Sequence, residues 1–173
     1  MLYEHIEKLA SNLIDKFNAE PPVDLAALLK AHNISLSEVP SESDDLCGLI
    51  LKNNKKAIIG VNANHSENRK RFTIAHELGH YLLHTNQDTF VDRHENLDLV
   101  KFRFNSDNNN NREEKEANCF AACLLIPKKN ITKNYKTLIQ IMKDKEEVIS
   151  SLSKAYAVSF DAMKYRLMNL RLI

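Results

Sequence analysis

Arg71-Phe72-Thr73-Ile74-Ala75-His76-Glu77-Leu78-Gly79-His80-Tyr81-Leu82-Leu83 is the stretch on which the reading of this sequence turns. Apolar residues flank the polar ones on both sides, so a helix here is apolar almost all the way round and belongs inside the molecule. Three ionisable side chains, His76, Glu77 and His80, then ride on a buried element. That is costly unless something compensates their charge. Residues four apart share a helix face about 6 Å from each other, which turns His76 and His80 the same way. Ser66 is a reasonable cap, and the helix is expected to run to about His84.

An H-E-x-x-H helix lets two imidazoles reach one metal ion from the same side. Glu77, one step round from His76, can take a proton from a water that the metal activates. Zinc (Zn2+) needs a third protein ligand. His84 is too far along, since positions i, i+4 and i+8 span about 12 Å of helix axis. It reads instead as a helix-end residue near the last carbonyls. A third His six residues beyond His80 is also missing, because Asn86 stands there. The better candidate is Glu114 in Glu113-Glu114-Lys115-Glu116-Ala117-Asn118. Asn118 shares its face and can accept the free N–H of a ligand imidazole. Glu116 is the second choice, lying about 160° round the helix from Glu114.

Outward from this centre the pattern mixes helices with a few strands. Ile6, Leu9, Leu13 and Phe17 recur at helical steps, Pro21-Pro22 ends that helix, and Val23 to Ala31 reads as a short second one. Ile34, Leu36 and Val39 suggest a strand. The runs Leu46–Leu51 and Ala57–Asn62, separated by Asn53-Asn54-Lys55-Lys56, read as a β-hairpin. Its second strand could pair with an extended peptide. Val100, Phe102 and Phe104 alternate as in a strand over Leu97–Phe104, and Asp107 to Asn111 reads as a loop. Another helix is expected over Arg112–Leu125, stopping at Pro127. Residues 128–173 look helical, with Val148, Leu152, Ala155, Ala162, Leu167 and Leu170 inward. The expected organisation is a core over 1–127 and a helical subdomain over 128–173 packed on it.

The 173 residues carry a net charge of +1, are 43% hydrophobic and hold no apolar run long enough to cross a bilayer. Met1–Lys16 shows no secretory pattern, so the cytoplasm is the expected location and no membrane association is expected. The odd set Cys47, Cys119 and Cys123 does not look like a disulfide framework. Cys119 and Cys123, four apart on a helix, read as small buried residues, with zinc ligation the alternative. Residues 128–173 hold ten Lys/Arg against four Asp/Glu, a net of +6, which leaves −5 for residues 1–127. Such a basic tail hints at an acidic partner.

Two separate motifs now stand in order. Arg71-Phe72-Thr73-Ile74-Ala75-His76-Glu77-Leu78-Gly79-His80 is followed by Glu114-x-x-Ala117-Asn118-x-Phe120-Ala121-Ala122-x-Leu124-Leu125-x-Pro127. Together they resemble the ImmA/IrrE family of metallopeptidases. The resemblance implies an α+β, zincin-like domain with a small sheet, an active-site helix and a helical C-terminal part. It implies zinc held by His76, His80 and Glu114, with Glu77 as the base. Family members typically cleave a helix-turn-helix repressor of a mobile element or stress response, which is the partner expected here. Ile126 departs from a common Met and Cys123 from a common Glu, neither touching the proposed chemistry. No repressor-like DNA-binding domain precedes the motifs, which favours a separate partner.

The rival reading is a zinc-containing regulatory or antitoxin-like module that cuts nothing. Leu152-x-x-Ala155-x-Ala157-Val158-Ser159-x-x-Ala162-x-x-x-x-Leu167 has helix-turn-helix spacing, so nucleic acid is the alternative partner of the C-terminal helices.

Overall fold

The computed structural model describes residues 2–40, 46–52, 56–84, 89–93 and 109–173. The expected strand over Leu97–Phe104 lies outside them. Among the described residues, seven helices and four strands follow one another as α1 (Leu2–Phe17), α2 (Leu25–Ala31), β1 (Ile34–Val39), β2 (Leu46–Lys52), β3 (Ala57–Asn62), α3 (Glu67–Leu83), β4 (Thr89–Arg93), α4 (Asn109–Leu125), α5 (Lys128–Met142), α6 (Lys145–Tyr156) and α7 (Phe160–Asn169). The architecture is α+β.

The strands form one sheet in the order β1-β3-β2-β4. β2 and β3 are the expected hairpin, antiparallel with Lys52 opposite Ala57, and β4 adds antiparallel to β2. β1 joins the other side of β3 in parallel, with Ile34 opposite Ala57. β3 therefore has both backbone edges occupied and has no edge left for an added peptide. Its expected role as a docking strand fails for that reason. Among the described residues, the sheet's outer strands are β1 and β4.

One face of the sheet buries Ile50, Ala57, Ile59 and Val61 under α3 and Ile34 beside α2, while Leu51 and Ile58 on the other face remain exposed. In β1 only Ile34 is buried; Leu36 and Val39 are exposed at the sheet's margin. Lys52 ties sheet to helix, donating from Nζ to the carbonyls of His80 (3.1 Å) and His84 (2.8 Å). The His80 carbonyl also accepts from the His84 N–H at 3.1 Å, so Lys52 is a second donor to it at the helix end.

α3 is buried without a break from Phe72 to His80, as its all-round apolar character requires. Ser66 does stand at its N-cap with extended backbone, though its side chain makes no capping bond. α4 lies against α3. A Cβ placed on Gly79 would come within 3.1 Å of Phe120 Cδ1 and 3.2 Å of Ala117 Cα. The lack of a side chain at Gly79 thus sets how closely these helices approach. α4 begins at Asn109 rather than Arg112, so Asn109–Asn111 are helical and not loop. Asn is weak inside helices but tolerated in a first turn, where few intrahelical bonds are at stake.

α5, α6 and α7 share the same hydrophobic core through Ile131, Val148, Leu152, Met163 and Leu167. Ala155 faces outward, and Tyr156 takes the inward place expected of it. Ala157 ends α6 in the left-handed region (φ 51°), and Ser159 caps α7 by accepting from Ala162 N. Arg166 of α7 is buried, donating to Ile126 O at 3.1 Å and to Glu7 Oε1 on α1 at 2.6 Å.

Candidate metal centre

His76 and His80 stand one turn apart on α3, 0% and 1% exposed, with Nε2 atoms 2.9 Å from each other. Glu114, from the second turn of α4, reaches both. Its Oε2 lies 3.2 Å from His76 Nε2 and its Oε1 3.3 Å from His80 Nε2. All three ligand atoms fall within 4.8 Å of one another.

Protons decide what this triangle can hold. Asn118 Oδ1 lies 2.9 Å from His76 Nδ1, so with the amide in this orientation Nδ1 carries the hydrogen and Nε2 keeps a lone pair. His80 Nδ1 faces His84 Nδ1 at 3.0 Å, and His84 Nε2 faces Glu116 Oε2 at 3.1 Å. A carboxylate only accepts, so neutral His84 holds its hydrogen on Nε2 and accepts on Nδ1 from His80. His80 Nε2 is then a lone pair too. Two imidazole lone pairs and a carboxylate converge with no proton between them, an arrangement that a cation relieves. A tetrahedral site with bonds of about 2.05 Å has ligand–ligand edges of about 3.3 Å. The spacings of 2.9, 3.2 and 3.3 Å fit that size, and two nitrogens with one oxygen suit a divalent transition metal.

The same electrostatics govern titration of the metal-free site. Burial pushes His80 from 6.5 down to about 4, with His76 and His84 adding to the effect and Glu114 opposing it. Burial alone would raise Glu114, but its contacts with His76 and His80 outweigh it and hold the carboxyl at about 2.

Glu77 is fully buried and packs against the backbone of β2. A Cβ on Gly48 would stand 2.8 Å from Glu77 Oε1 and 2.3 Å from Thr73 Cγ2. Gly48 is therefore part of the site, a role hidden in the sequence because nothing local says which helix crosses that strand. His84 is the C-cap of α3, at the helix end as expected, and its ring turns inward, where it meets His80 Nδ1 and orients that ring. Glu116, the second choice as a ligand, meets His84 with Oε2 and Arg112 Nε with Oε1, the latter at 2.8 Å. The spacing could have shown this, since 80 and 84 repeat the i, i+4 step of 76 and 80.

A family model described as Peptidase M78, IrrE N-terminal-like domain, matches residues 29–168. The chain belongs to this family. Among solved structures, a Mycobacterium tuberculosis transcriptional regulator matches with a TM-score of 0.62 at 17% identity, covering 94% of this chain and 46% of that one. At that identity the likeness concerns the fold, and this chain spans less than half of the regulator's length. No curated protein matches the chain. Peptidase M78 membership joins a metallopeptidase family to a chain whose His76, His80 and Glu114 could hold a metal ion.

Gly48→Ala is expected to destabilise the protein by about 1–3 kcal/mol through overpacking against Thr73 and Glu77. Thermal denaturation reads this, and an unchanged midpoint would refute the close packing. A second expectation concerns pH. Since His80 is depressed, the unfolded chain takes up its proton first as pH falls from 6.5 toward 4, which favours unfolding. Glu114, also depressed, adds a further loss between pH 4.5 and about 2. Melting of chelator-treated protein should therefore weaken steadily below pH 6.5. A flat profile down to pH 4 would contradict the burial of neutral His80.

Proposed function

We propose that this protein is a zinc-dependent endopeptidase, with His76, His80 and Glu114 as metal ligands, Glu77 as general base and Asn118 fixing the His76 ring. The observation that carries this reading is the convergence of three proton-free donors at tetrahedral spacing. Bound there, zinc would supply a Lewis acid that polarises a peptide carbonyl and brings water's deprotonation within reach of neutral pH. Glu77 takes the proton from the attacking water and returns it to the departing amine. Its burial against Gly48 holds the carboxylate in one place for both transfers. His84 and Glu116 keep the ring of His80 turned so that Nε2, not Nδ1, faces the centre.

The substrate proposed is a helix-turn-helix repressor of a mobile element or stress response, cleaved so that its genes are released. The two-motif resemblance supports this, and the structural likeness to a transcriptional regulator is compatible with it. Residues 1–127 are assigned to the catalytic core and 128–173 to a helical subdomain. Arg166 is engaged with Glu7 and Ile126 inside the fold, which takes one cation of α7 away from phosphate contacts. That weighs for a structural rather than a DNA-binding use of α6 and α7. No helix among the described residues is long and apolar enough to cross a membrane. We place the reaction in the cytoplasm.

Incubating zinc-loaded protein with the helix-turn-helix repressor encoded beside it, in parallel with Glu77→Gln, tests the reading by intact mass. Discrete repressor fragments from the unmodified protein alone are expected. An intact repressor in both samples, with one zinc bound per chain, would favour the non-cleaving regulatory module. The orienting role of His84 has its own readout in competition with a chelator. His84→Ala should weaken zinc retention by roughly 10–100-fold. His84→Gln, whose amide offers both an acceptor oxygen and N–H donors, should lose less. Equal, undiminished retention in both variants would remove His84 from the centre.

A further inference from the structure

Cys119 and Cys123 take no part in the metal centre. They are free thiols one turn apart on α4, with Sγ atoms 4.0 Å from each other. Cys123 is buried and donates to Glu7 Oε2 at 3.4 Å. Cys119 is partly exposed and stands in the wall of a cavity of about 980 Å³ between α1, α4, α5 and α7. Lys8, Lys128, Lys129 and Arg166 line the same cavity, together with Glu4 and Glu7.

This geometry gives the two sulfurs different work. Cys119 opens to the cavity, so a small oxidant reaches it without unfolding of the chain. The two sulfurs lie within hydrogen-bond reach of each other, where either can donate, and Cys123 also reaches Glu7. The contact with Cys123, joined by the charge of Arg166, draws the Cys119 thiol below its ordinary range, although burial and the carboxylates of Glu7 and Glu116 oppose this. The Cys123 thiol moves the opposite way, through that same contact and burial. A thiol that is accessible and has a second thiol 4.0 Å away is the pattern of an oxidation-sensitive site.

We propose that Cys119 is a site of oxidation by hydroperoxides, with Cys123 as its resolving thiol. Cys119 sulfur attacks one peroxide oxygen and the O–O bond breaks. Cys119 becomes a sulfenic acid, and its former proton leaves with the other oxygen as water or an alcohol. Cys123 sulfur then attacks Cys119; the S–S bond forms, the S–O bond breaks, and the hydroxyl departs with the Cys123 proton as water. The two thiols have lost two electrons, and the peroxide has taken them.

The bridge changes α4. Helix Cβ atoms at i, i+4 lie about 5–6 Å apart, whereas a disulfide needs roughly 3.5–4.5 Å. That turn must tighten, and Cys123 gives up its bond to Glu7. Asn118, which holds the His76 ring, is the residue before Cys119. Oxidation therefore loosens the grip on metal, a consequence that rests on the metal-centre reading, whereas the oxidation itself does not.

The test treats the full chain with hydrogen peroxide and counts thiols after denaturation. A fall from three free thiols to one is expected, with the two missing hydrogens located in the tryptic peptide 116–128, which contains both Cys119 and Cys123. Cys123→Ser should accumulate a sulfenic acid on Cys119 that a dimedone probe labels. Cys119→Ser should lose thiols at least roughly tenfold more slowly. Three persisting thiols, oxidation first at Cys47, or a Cys119→Ser protein that reacts as fast as the unmodified one would each overturn the proposal. Chelator competition on the bridged protein then reads the coupling. Weaker zinc retention is expected, and unchanged retention overturns the coupling while leaving the oxidation site standing.

Discussion

The approach of α3 to α4 at Gly79 and Ala117 is the constraint from which the rest of the centre follows. With no side chain at Gly79, Ala117 and Phe120 come within about van der Waals contact of the opposing backbone. At that separation, side chains of middling length bridge the gap. Glu114 spans it to both imidazoles, Asn118 to one ring and Glu116 to another. A larger residue at Gly79 would wedge the helices apart and open all of these contacts together. The site is thus as much a property of one packing interface as of its polar side chains.

That interface also explains how so much potential charge is tolerated inside. His76, Glu77, His80 and His84 are all buried. Leaving such groups without compensation would take a large part of the marginal stability of a domain this size. The hydrogen-bonded ladder running from His80 through His84 to Glu116 and Arg112 ends at solvent, where Arg112 is exposed and charge is cheap. Polarity is led outward step by step from α3 across to α4 rather than stranded in the core.

Features with a local signal were legible in the sequence, and those needing a remote partner were not. The i, i+4 step of His76 and His80 and of Glu114 and Asn118 told which side chains share a face, and the structure brings those faces together. The helical period of Ile6 and Leu13 and the two apolar runs of the β2–β3 hairpin were equally readable. By contrast, β1 beside β3 is a non-local pairing that no periodicity encodes, so the central place of β3 was missed. His84 was set aside because its distance along the axis rules out ligation; the same argument says nothing about touching its neighbour one turn away. Gly48 had no reading until a helix was known to cross it, and Asn109–Asn111 hid a helix start behind weak intrinsic propensity.

The clasp between Glu7 and Arg166 joins residues 159 positions apart in the chain. On a ribosome, α1 emerges well before α7, so Glu7 waits through the 159 positions between them for its cation. The sheet and the α3–α4 pair can form earlier, but the shell around them closes only after α7 is out. Assembly of this protein is therefore late and cooperative: a nascent chain carries its paired helices before it carries a finished surface.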